Sequence, residues 1–448
     1  MIGLREARTD AQTAIRIDHR ATAPAGSDGR SSTAMRSRML RSDASMVDWG
    51  MMPAPRSHPS SVPSGDPPAH RLLLACARAP FDPAGAASAF EELTSEVEWE
   101  AFLRLAGRNR MLPLAHRALG ERTGVPETVR SHLRSAHAEN ARHALLLAGE
   151  LRRLMDALQA AGIPALAYKG PALAVRAYGH LALRTYSDLD LLVAPSSIPA
   201  AAAVLRAHGY ASAYALSPAQ DAAFRRVDGD YPYHHPATGG LVELHARVSS
   251  TRFVARMPTE QLLARARAVP IGGGDVPAPA DDDLFLALCL HGAKHRWTRL
   301  EWLACAAALA IRAELDLEAL VDRADAIGAR RTVLLALRLA HDELDLSLPP
   351  SIERAIEADR SLGALAAEAR DLWFGSEEDG DGSTPANLRF NARLRDGGRD
   401  RARYVARWLF LPSPEDWAWA RLPDALAPLY RVLRPVRLAM RYGRRRDA

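Results

Sequence analysis

The sequence predicts a protein of the α/β (α+β) class, in which a small β-sheet with flanking helices is embedded in helical N- and C-terminal regions. Ala, Leu and Arg dominate the 448 residues, and these residue types favour helix. Two short segments, 188–193 and 241–248, instead alternate apolar and polar residues as half-buried strands do. A chain of this length is sufficient for two or three domains and a sizeable core.

The N-terminal part divides into two predicted regions. Residues 1–68 are rich in Ser, Pro, Arg, Asp and Gly and lack apolar periodicity, which predicts a disordered leader or a mis-annotated start. Residues 69–161 are predicted to be helical and to end in one long amphipathic helix over 126–161. Gly162 and Pro164 then end that helix.

The predicted sheet lies within residues 162–279. Strands and helices alternate there in short pieces, and two or three strands are expected between 210 and 250. The triple glycine that ends at Gly274 is predicted to be a surface turn between strands, because the prolines after it oppose a helix. The other predicted elements are a strand at 163–168, a helix at 171–178, a strand at 188–193, a helix at 196–208 and a strand at 241–248.

The C-terminal part is predicted to be helical again. A helical domain spans 280–374 and begins at three consecutive aspartates, which suit the positive end of the helix dipole better than a metal site. Residues 375–402 are polar and Gly-rich, which predicts a mobile loop. Residues 403–448 form a predicted helical, basic C-terminal region.

Charge and cysteine content restrict the class of protein. The formal net charge of +5 is compatible with phosphate-bearing ligands but does not require nucleic acid. No stretch approaches 18 uninterrupted apolar residues, so no transmembrane helix is predicted. Cys76, Cys289 and Cys305 lie in apolar helical contexts without metal-like spacing, which predicts reduced, buried thiols in a cytoplasmic protein.

Paired carboxylates are the strongest chemical signal in the chain. Asp188 and Asp190 stand at i and i+2 on a predicted strand, so both side chains share one face while the intervening leucine points into a core. Two like charges this close repel each other unless a cation lies between them, and a hard divalent ion prefers such oxygen ligands. Glu243 on the later strand can supply a third carboxylate. The alternatives are an exposed edge strand and a salt bridge from Glu243 to an arginine.

Lysine usage is the second signal. The chain contains 58 Lys and Arg residues, but only Lys169 and Lys294 are lysines. A compact ammonium group is not equivalent to a planar guanidinium, so these two positions are predicted to need the ammonium. The alternative is that codon usage favours arginine and that two lysines remain by chance.

Three histidines accompany these residues. His245 shares the face of Glu243, where a metal ligand, a base, a supporting group and a structural histidine are all open interpretations. His291 and His295 have the i, i+4 spacing of zinc ligands, but no third ligand accompanies them. A phosphate-facing or acceptor-facing role and a structural role therefore remain open for this pair.

The order of these motifs resembles a known family. Lys169-Gly170, Arg184, Ser187-Asp188-Leu189-Asp190, Glu243-Leu244-His245 and the segment 291–297 are similar to the uncharacterised nucleotidyltransferase family, which belongs to the DNA polymerase beta-like nucleotidyltransferase superfamily. The resemblance covers roughly residues 70 to 440. It implies that the small sheet is mixed and that residues 162–279 form the nucleotidyltransferase catalytic core.

The resemblance also implies an activity, namely transfer of an NMP from an NTP to an acceptor. Asp188, Asp190 and Glu243 would bind two Mg²⁺ (or Mn²⁺) ions, and Glu243 would act as the base. The remaining site residues fall into two implied groups. Those that contact the nucleotide phosphates are Lys169, Gly170, Arg184 and Ser187, and those that support the metal ligands or face the acceptor are His245, His291, Lys294 and His295.

Two departures from the family pattern leave alternatives open. The usual Gly-Ser or Gly-Gly pair is Lys169-Gly170 here, and Cys305 stands where an Asp often follows the Trp-containing motif. The alternatives are a catalytically degenerate nucleotide-binding regulatory protein and a toxin-type enzyme that modifies tRNA. The acceptor can be a small molecule, a peptide, a protein or an RNA, with peptide natural products and surface polysaccharides implied by the resemblance. Base preference and oligomeric state are not predicted.

Overall fold

A mixed β-sheet organises the centre of the fold. The computed structural model describes residues 66–253, 255–375 and 385–443, all of which belong to one compact unit. The strand order is β1-β2-β5-β4-β3, in which β2 and β5 are parallel and the other neighbouring pairs are antiparallel. The predicted small mixed sheet is therefore confirmed. Its strands are β1 (Ala165–Ala167), β2 (Asp188–Val193), β3 (Ala211–Ser212), β4 (Asp230–His234) and β5 (Leu241–His245).

Strand β2 has the bounds that the sequence predicts, whereas β1 and β5 are shorter than the predicted 163–168 and 241–248. A separate antiparallel hairpin joins β6 (Arg267–Ile271) to β7 (Gly274–Ala278). Its two central residues, Gly272 and Gly273, have φ of +61° and +84°. Positive φ at both central positions suits the twist of a two-residue hairpin, so the predicted glycine turn is confirmed.

Helices cover both sides of this sheet. The predicted helix over 126–161 is confirmed as α5, which ends just before Gly162, a residue with φ of +68°. A glycine in this left-handed conformation commonly follows a helix end. The helices before β1 are α1 (Pro68–Arg78), α2 (Pro83–Leu93), α3 (Trp99–Arg108), α4 (Leu112–Leu119) and α5 (Glu127–Ala160). Those among the strands are α6 (Gly170–Tyr178), α7 (Ile198–Ala207), α8 (Pro218–Val227) and α9 (Thr259–Ala264).

The chain after the hairpin is helical. The helices up to residue 374 are α10 (Asp281–Lys294), α11 (Leu300–Arg312), α12 (Leu317–Ala326), α13 (Arg330–Leu344), α14 (Pro350–Ala358) and α15 (Arg360–Phe374). The helices that follow within the described residues 385–443 are α16 (Pro385–Arg393), α17 (Gly398–Phe410), α18 (Pro414–Trp419) and α19 (Tyr430–Gly443).

The predicted loop over 375–402 is wrong for its C-terminal part. Residues 385–393 form α16, and α17 begins at Gly398. Phe390 and Asn391 of α16 are fully buried, and the Asn391 amide donates to the carbonyl of Asn387. Burial of one helix face therefore outweighs the polar composition of this stretch. Residues 376–384 and the predicted leader up to residue 65 lie outside the described residues.

Each face of the sheet contacts its own hydrophobic core. Leu189, Leu191 and Val193 of β2 belong to one core, as the alternation predicts. Leu166 and Leu192 point to the opposite face and join a larger core built with helices α10 to α15. Asp188 and Asp190 share the face of Leu192 because side chains alternate along a strand. The carboxylates therefore project towards the helical side of the sheet.

The C-terminal helices neutralise part of their own basic charge. Asp416 of α18 is buried and forms ion pairs with Arg434 and Arg437 of α19, at 2.6 and 2.5 Å.

The predicted burial of the three cysteines is confirmed. Within residues 66–253, 255–375 and 385–443, none of the helices combines the length and apolarity needed to cross a membrane.

Gly292 gives a prediction about stability. A Cβ atom at this position of α10 would lie 2.5 Å from Cε3 of Trp297, whose ring is fully buried. Gly292→Ala is therefore expected to lower the free energy of unfolding by about 1–3 kcal/mol, as overpacking does. Gly149→Ala is the matched control, because Gly149 lies on an exposed part of α5 with no atom within 4 Å of the added Cβ.

Urea unfolding of both variants tests this prediction. Gly149→Ala is expected to raise the free energy of unfolding by about 0.5–1 kcal/mol, because alanine favours helix over glycine. A Gly292→Ala protein as stable as Gly149→Ala would show that the Trp297 ring can move aside.

Candidate active site

Asp190 is an almost fully enclosed carboxylate of the site, with 4% of its surface exposed. Its Oδ1 atom lies 2.7 Å from the Lys169 ammonium and 2.9 Å from Nε2 of His245. Burial alone would raise the pKa of Asp190, but Lys169 and His245 lower it below the ordinary value. Asp190 is therefore ionised, and it holds two cationic groups around one oxygen.

The turn between β1 and α6 delivers Lys169 to this position. The amide of Tyr168 donates to the carbonyl of Asp190 at 3.1 Å, which continues the β1–β2 pairing. Gly170 then begins α6 with φ of +52°, a conformation that glycine adopts without strain. Burial lowers the pKa of the Lys169 ammonium, but Asp190 more than compensates and raises it above the ordinary value. Lys169 is thus a permanent cation.

Glu243 and His245 come from the neighbouring parallel strand. The register pairs Asp190 with Glu243 and Leu192 with His245, so all four side chains share one face. Nε2 of His245 lies 3.4 Å from Oε2 of Glu243. Ligand atoms of Asp190, Glu243 and His245 all lie within 4.8 Å of one another. When the imidazole of His245 is neutral, this donor set can hold a metal ion.

Hydrogen bonds set the charge of His245. Burial lowers the pKa of its imidazole, but hydrogen bonds to Asp190, Asp230 and Glu243 raise it well above the ordinary value. Desolvation raises the pKa of Glu243, but His245 more than offsets this effect and lowers the pKa to about 2. His245 is therefore a cation among carboxylates at neutral pH.

The electrostatic environment of Asp188 shows whether the site suits a divalent cation. Burial, followed by repulsion from Asp190 and Glu243, raises the pKa of Asp188 to about 6. Lys169 and Arg110 oppose this effect without cancelling it. The carboxylates therefore retain an excess of negative charge on the Asp188 side, which an added cation would relieve. Carboxylate oxygens are the ligands that Mg²⁺ prefers, so the residues present fit such an ion.

This excess charge predicts a pH-dependent effect. A carboxyl group whose pKa is raised by folding stabilises the protein at low pH, and that stability is lost as pH rises from about 4 to about 6. Asp188→Asn removes the charge, so it is expected to raise the melting temperature at pH 7.5 in the presence of EDTA. Near pH 4 the two proteins should melt together. A gain of equal size at both pH values would contradict the raised pKa.

Asp230 is a member of the site that sequence reasoning missed. It lies opposite His245 in the β4–β5 register, and its Oδ1 atom is 3.1 Å from Nδ1 of His245. Its Oδ2 atom is 3.5 Å from the ammonium of Lys294 on α10. Burial raises the pKa of Asp230, but Lys294 and His245 lower it below the ordinary value. Lys294, the second lysine of the chain, is thus connected to the site by its ion pair with Asp230.

Arg184 and Glu301 form a buried ion pair behind the carboxylates. The Arg184 Nε and Glu301 Oε1 atoms are 2.7 Å apart, and both side chains are less than one tenth exposed. Burial lowers the pKa of Arg184, but Glu301 raises it above the ordinary value. The thiol of Cys305 donates to Glu301 Oε1 at 3.4 Å and accepts from the Tyr178 hydroxyl at 3.4 Å. Cys305 therefore contacts this ion pair, and Glu301 is a second residue that sequence reasoning missed.

The other predicted residues lie at the margin of the carboxylate cluster. The rings of His291 and His295 are 4.8 Å apart and both contact Trp302. Burial, followed by nearby cations, lowers the pKa of both histidines, so they are neutral. Among the described residues, the group of three that could hold a metal ion consists of Asp190, Glu243 and His245. It does not include these two histidines. Ser187 is exposed and immediately precedes Asp188.

A family comparison agrees with this geometry. Residues 95–345, more than half of the chain, match the model of the family described as uncharacterised nucleotidyltransferases. The chain belongs to this family. The matched range contains the whole sheet and also α10 and α11, which carry Lys294 and Glu301. The chain has no match among curated proteins.

Proposed function

We propose that the protein is a Mg²⁺-dependent nucleotidyltransferase that moves an NMP from an NTP to an acceptor. The observation that carries this proposal is the convergence of Asp188, Asp190 and Glu243 on one face of two adjacent parallel strands. Membership of the nucleotidyltransferase family supports the same reaction class. Asp188, Asp190 and Glu243 would hold two Mg²⁺ (or Mn²⁺) ions, which when bound supply charge neutralisation at the reacting phosphate and orient the attacking oxygen.

Exposure assigns different tasks to the carboxylates. The side chain of Asp190 is 3% exposed, whereas that of Glu243 is 41% exposed. The acceptor is therefore expected to approach beside Glu243, whose carboxylate can take the proton of the attacking group. His245 and Asp230 orient Glu243 from behind, and Lys294 holds Asp230.

Lys169 and the start of α6 are proposed to bind the nucleotide phosphates. The Lys169 ammonium already lies at the carboxylate cluster. Gly170 has no Cβ atom, so its side chain does not block the approach of a phosphate to the backbone amides of the first helical turn. Helix N-termini favour anions because their amide groups and dipole point towards the ligand. Ser187, exposed beside Asp188, is proposed to contact the same phosphates.

One observation favours a second candidate, a nucleotide-binding regulatory protein without turnover. Asp190 is already neutralised by two cations, Lys169 and His245. A site balanced in this way can bind an NTP and still catalyse slowly. Mg²⁺-dependent NTP consumption distinguishes the two candidates, because only the enzyme releases pyrophosphate.

For the acceptor, we favour a small molecule, peptide or polysaccharide intermediate over tRNA. Asp416 neutralises two of the arginines in the basic C-terminal region, which reduces the charge available to an RNA backbone. RNA binding whose affinity falls steeply with salt concentration would reverse this preference. Three free, buried cysteines support a cytoplasmic setting for the reaction.

Calorimetry with each NTP, with and without Mg²⁺, tests the proposal. Mg²⁺-dependent binding is expected for the wild type and should be lost in Asp188→Ala/Asp190→Ala. Asp156→Ala is the matched control, because Asp156 is 60% exposed on α5 and pairs only with its helical neighbour Arg152 among the contacts described. Absence of binding by any NTP in a folded protein would refute the proposed function.

A further inference from the structure

The C-terminal helices expose most of the large apolar side chains that are found on the surface. Apart from Leu145 and Leu146 of α5, the exposed large hydrophobic residues of the part of the chain that the structure describes lie between positions 410 and 440. Single exposed apolar residues are ordinary on a protein surface, but a concentration of them in one segment marks an interaction site. These residues are Phe410, Trp419, Leu426, Leu429, Val432, Val436 and Met440.

Helix α19 presents apolar residues to solvent along one face. Val432, Val436 and Met440 recur every four residues, so their side chains lie on the same side of the helix. Their exposed fractions are 66%, 44% and 56%. A surface helix usually turns its apolar face towards the core. This face therefore lacks the burial that its composition favours.

The opposite face of α19 packs against the protein. Tyr430, Arg434 and Leu438, which are also four residues apart, are buried. Nε of Arg434 donates to the carbonyl of Trp408 at 2.8 Å, and its Nη1 atom donates to Oδ2 of Asp416 at 2.6 Å. The exposed apolar face therefore cannot turn inward unless this buried ion pair breaks, which is costly.

More exposed apolar residues lie close to the start of α19. Leu426 and Leu429 belong to the 3₁₀ helix that precedes it, and both are nearly half exposed. The Tyr430 hydroxyl donates to the carbonyl of Ala420 at 2.6 Å. This bond holds the end of α18, with the half-exposed Trp419, beside the start of α19. The C-terminal apolar surface is defined here as Trp419, Leu426, Leu429, Val432, Val436 and Met440.

Arginines accompany the C-terminal apolar surface. Arg431 and Arg441 of α19 are exposed, and so is Arg421, which precedes the 3₁₀ helix. Asp424 is the single acidic residue between positions 421 and 443. The surface therefore lies in a positively charged segment, which complements an anionic partner.

We propose that the C-terminal apolar surface binds peripherally to an anionic lipid bilayer. A basic amphipathic helix lies in the plane of a bilayer, with its apolar face at the acyl chains and its arginines at the anionic headgroups. An exposed tryptophan suits the same boundary between water and hydrocarbon. The inference does not depend on the proposed function, because α17 to α19 lie after the residues 95–345 that match the family.

Two other occupants fit this surface less well. If two copies of α19 packed antiparallel about Val436, Arg431 of one copy would lie beside Arg441 of the other, and a parallel arrangement would bring equivalent arginines together. Like charges would meet in both cases, which opposes association. Nucleic acid would satisfy the arginines through its phosphates, but that backbone offers no apolar contact to the valines and leucines.

Cosedimentation of the full chain with lipid vesicles tests the proposal. The wild type is expected to bind vesicles of equal parts phosphatidylserine and phosphatidylcholine, and to bind phosphatidylcholine alone much more weakly. Val432→Gln/Val436→Gln removes apolar contact without adding charge, so it should lower the partition coefficient about tenfold or more. Arg431→Gln/Arg441→Gln should lower it by a similar factor, and wild-type binding should weaken as salt concentration rises.

Leu145→Gln/Leu146→Gln is the matched control, because these leucines are 65% and 73% exposed but lie on α5. Its partition coefficient should equal that of the wild type. Failure of the folded wild type to bind phosphatidylserine vesicles, or equal binding by all three variants, would overturn the proposal. A dimer that dissociates in Val432→Gln/Val436→Gln, without vesicle binding, would identify a second copy as the occupant instead. Salt-sensitive RNA binding without vesicle binding would overturn the proposal in favour of nucleic acid.

Discussion

Replacing Asp190 with asparagine is expected to lower the rate of nucleotidyl transfer by about a thousandfold or more. Asparagine keeps the size of the side chain but removes the charge that would hold a divalent ion, whose contribution to the transition state is several kcal/mol. It also releases Lys169 and His245, which share one oxygen of this carboxylate. The measurement is the single-turnover rate of label transfer from an α-labelled NTP at saturating Mg²⁺.

Asp156→Asn is the control for this experiment, because the Asp156 side chain is exposed and lies on α5 outside the carboxylate cluster. Its rate should equal that of the wild type. If Asp190→Asn retained a tenth of the wild-type rate while remaining folded, Asp190 would not be a ligand of the reacting metal.

Glu301→Ala is expected to lower the free energy of unfolding by about 3–5 kcal/mol, because it leaves the buried guanidinium of Arg184 without its partner. Few single substitutions destabilise a domain this much. The double variant Arg184→Met/Glu301→Leu should recover most of the loss, since apolar residues of similar size often replace a buried ion pair without cost. Urea unfolding of the single and double variants measures both effects.

An exposed ion pair provides the comparison. Glu100 is 84% exposed and pairs with Arg104 one helical turn away, so Glu100→Ala is expected to change stability by less than about 0.5 kcal/mol. A Glu301→Ala protein that resembled Glu100→Ala would mean that water reaches Arg184.

The sequence predicts those parts of the site that lie on one strand or one turn. The spacing of Asp188 and Asp190 fixes their common face, and the position of Gly170 predicts the turn that brings Lys169 to them. The partners Asp230 and Glu301 could not be found in this way. Asp230 depends on the register between β4 and β5, and Glu301 is one of 53 acidic residues that 58 basic ones can pair with. Tertiary packing alone selects these partners.

Helix α16 illustrates a similar limit. Its polar residues predict a loop, yet the Arg395 side chain after it is 1% exposed and donates to the carbonyls of Phe253 and Asn391. Composition shows that a residue is polar, but it does not show whether the fold places buried carbonyl groups within hydrogen-bond distance of its side chain.

The contact between Asn109 and Leu300 joins residues 191 positions apart, and this separation has a consequence for protein synthesis. At about 5–20 residues per second, roughly 10–40 s pass between the translation of the two partners. Leu166 and Leu192 also emerge before helices α10 to α15 of their core, so their apolar surface stays exposed during this interval. We expect the nascent chain to need chaperone protection during this interval. A recombinant fragment that ends at residue 279 would remain in that unfinished state permanently.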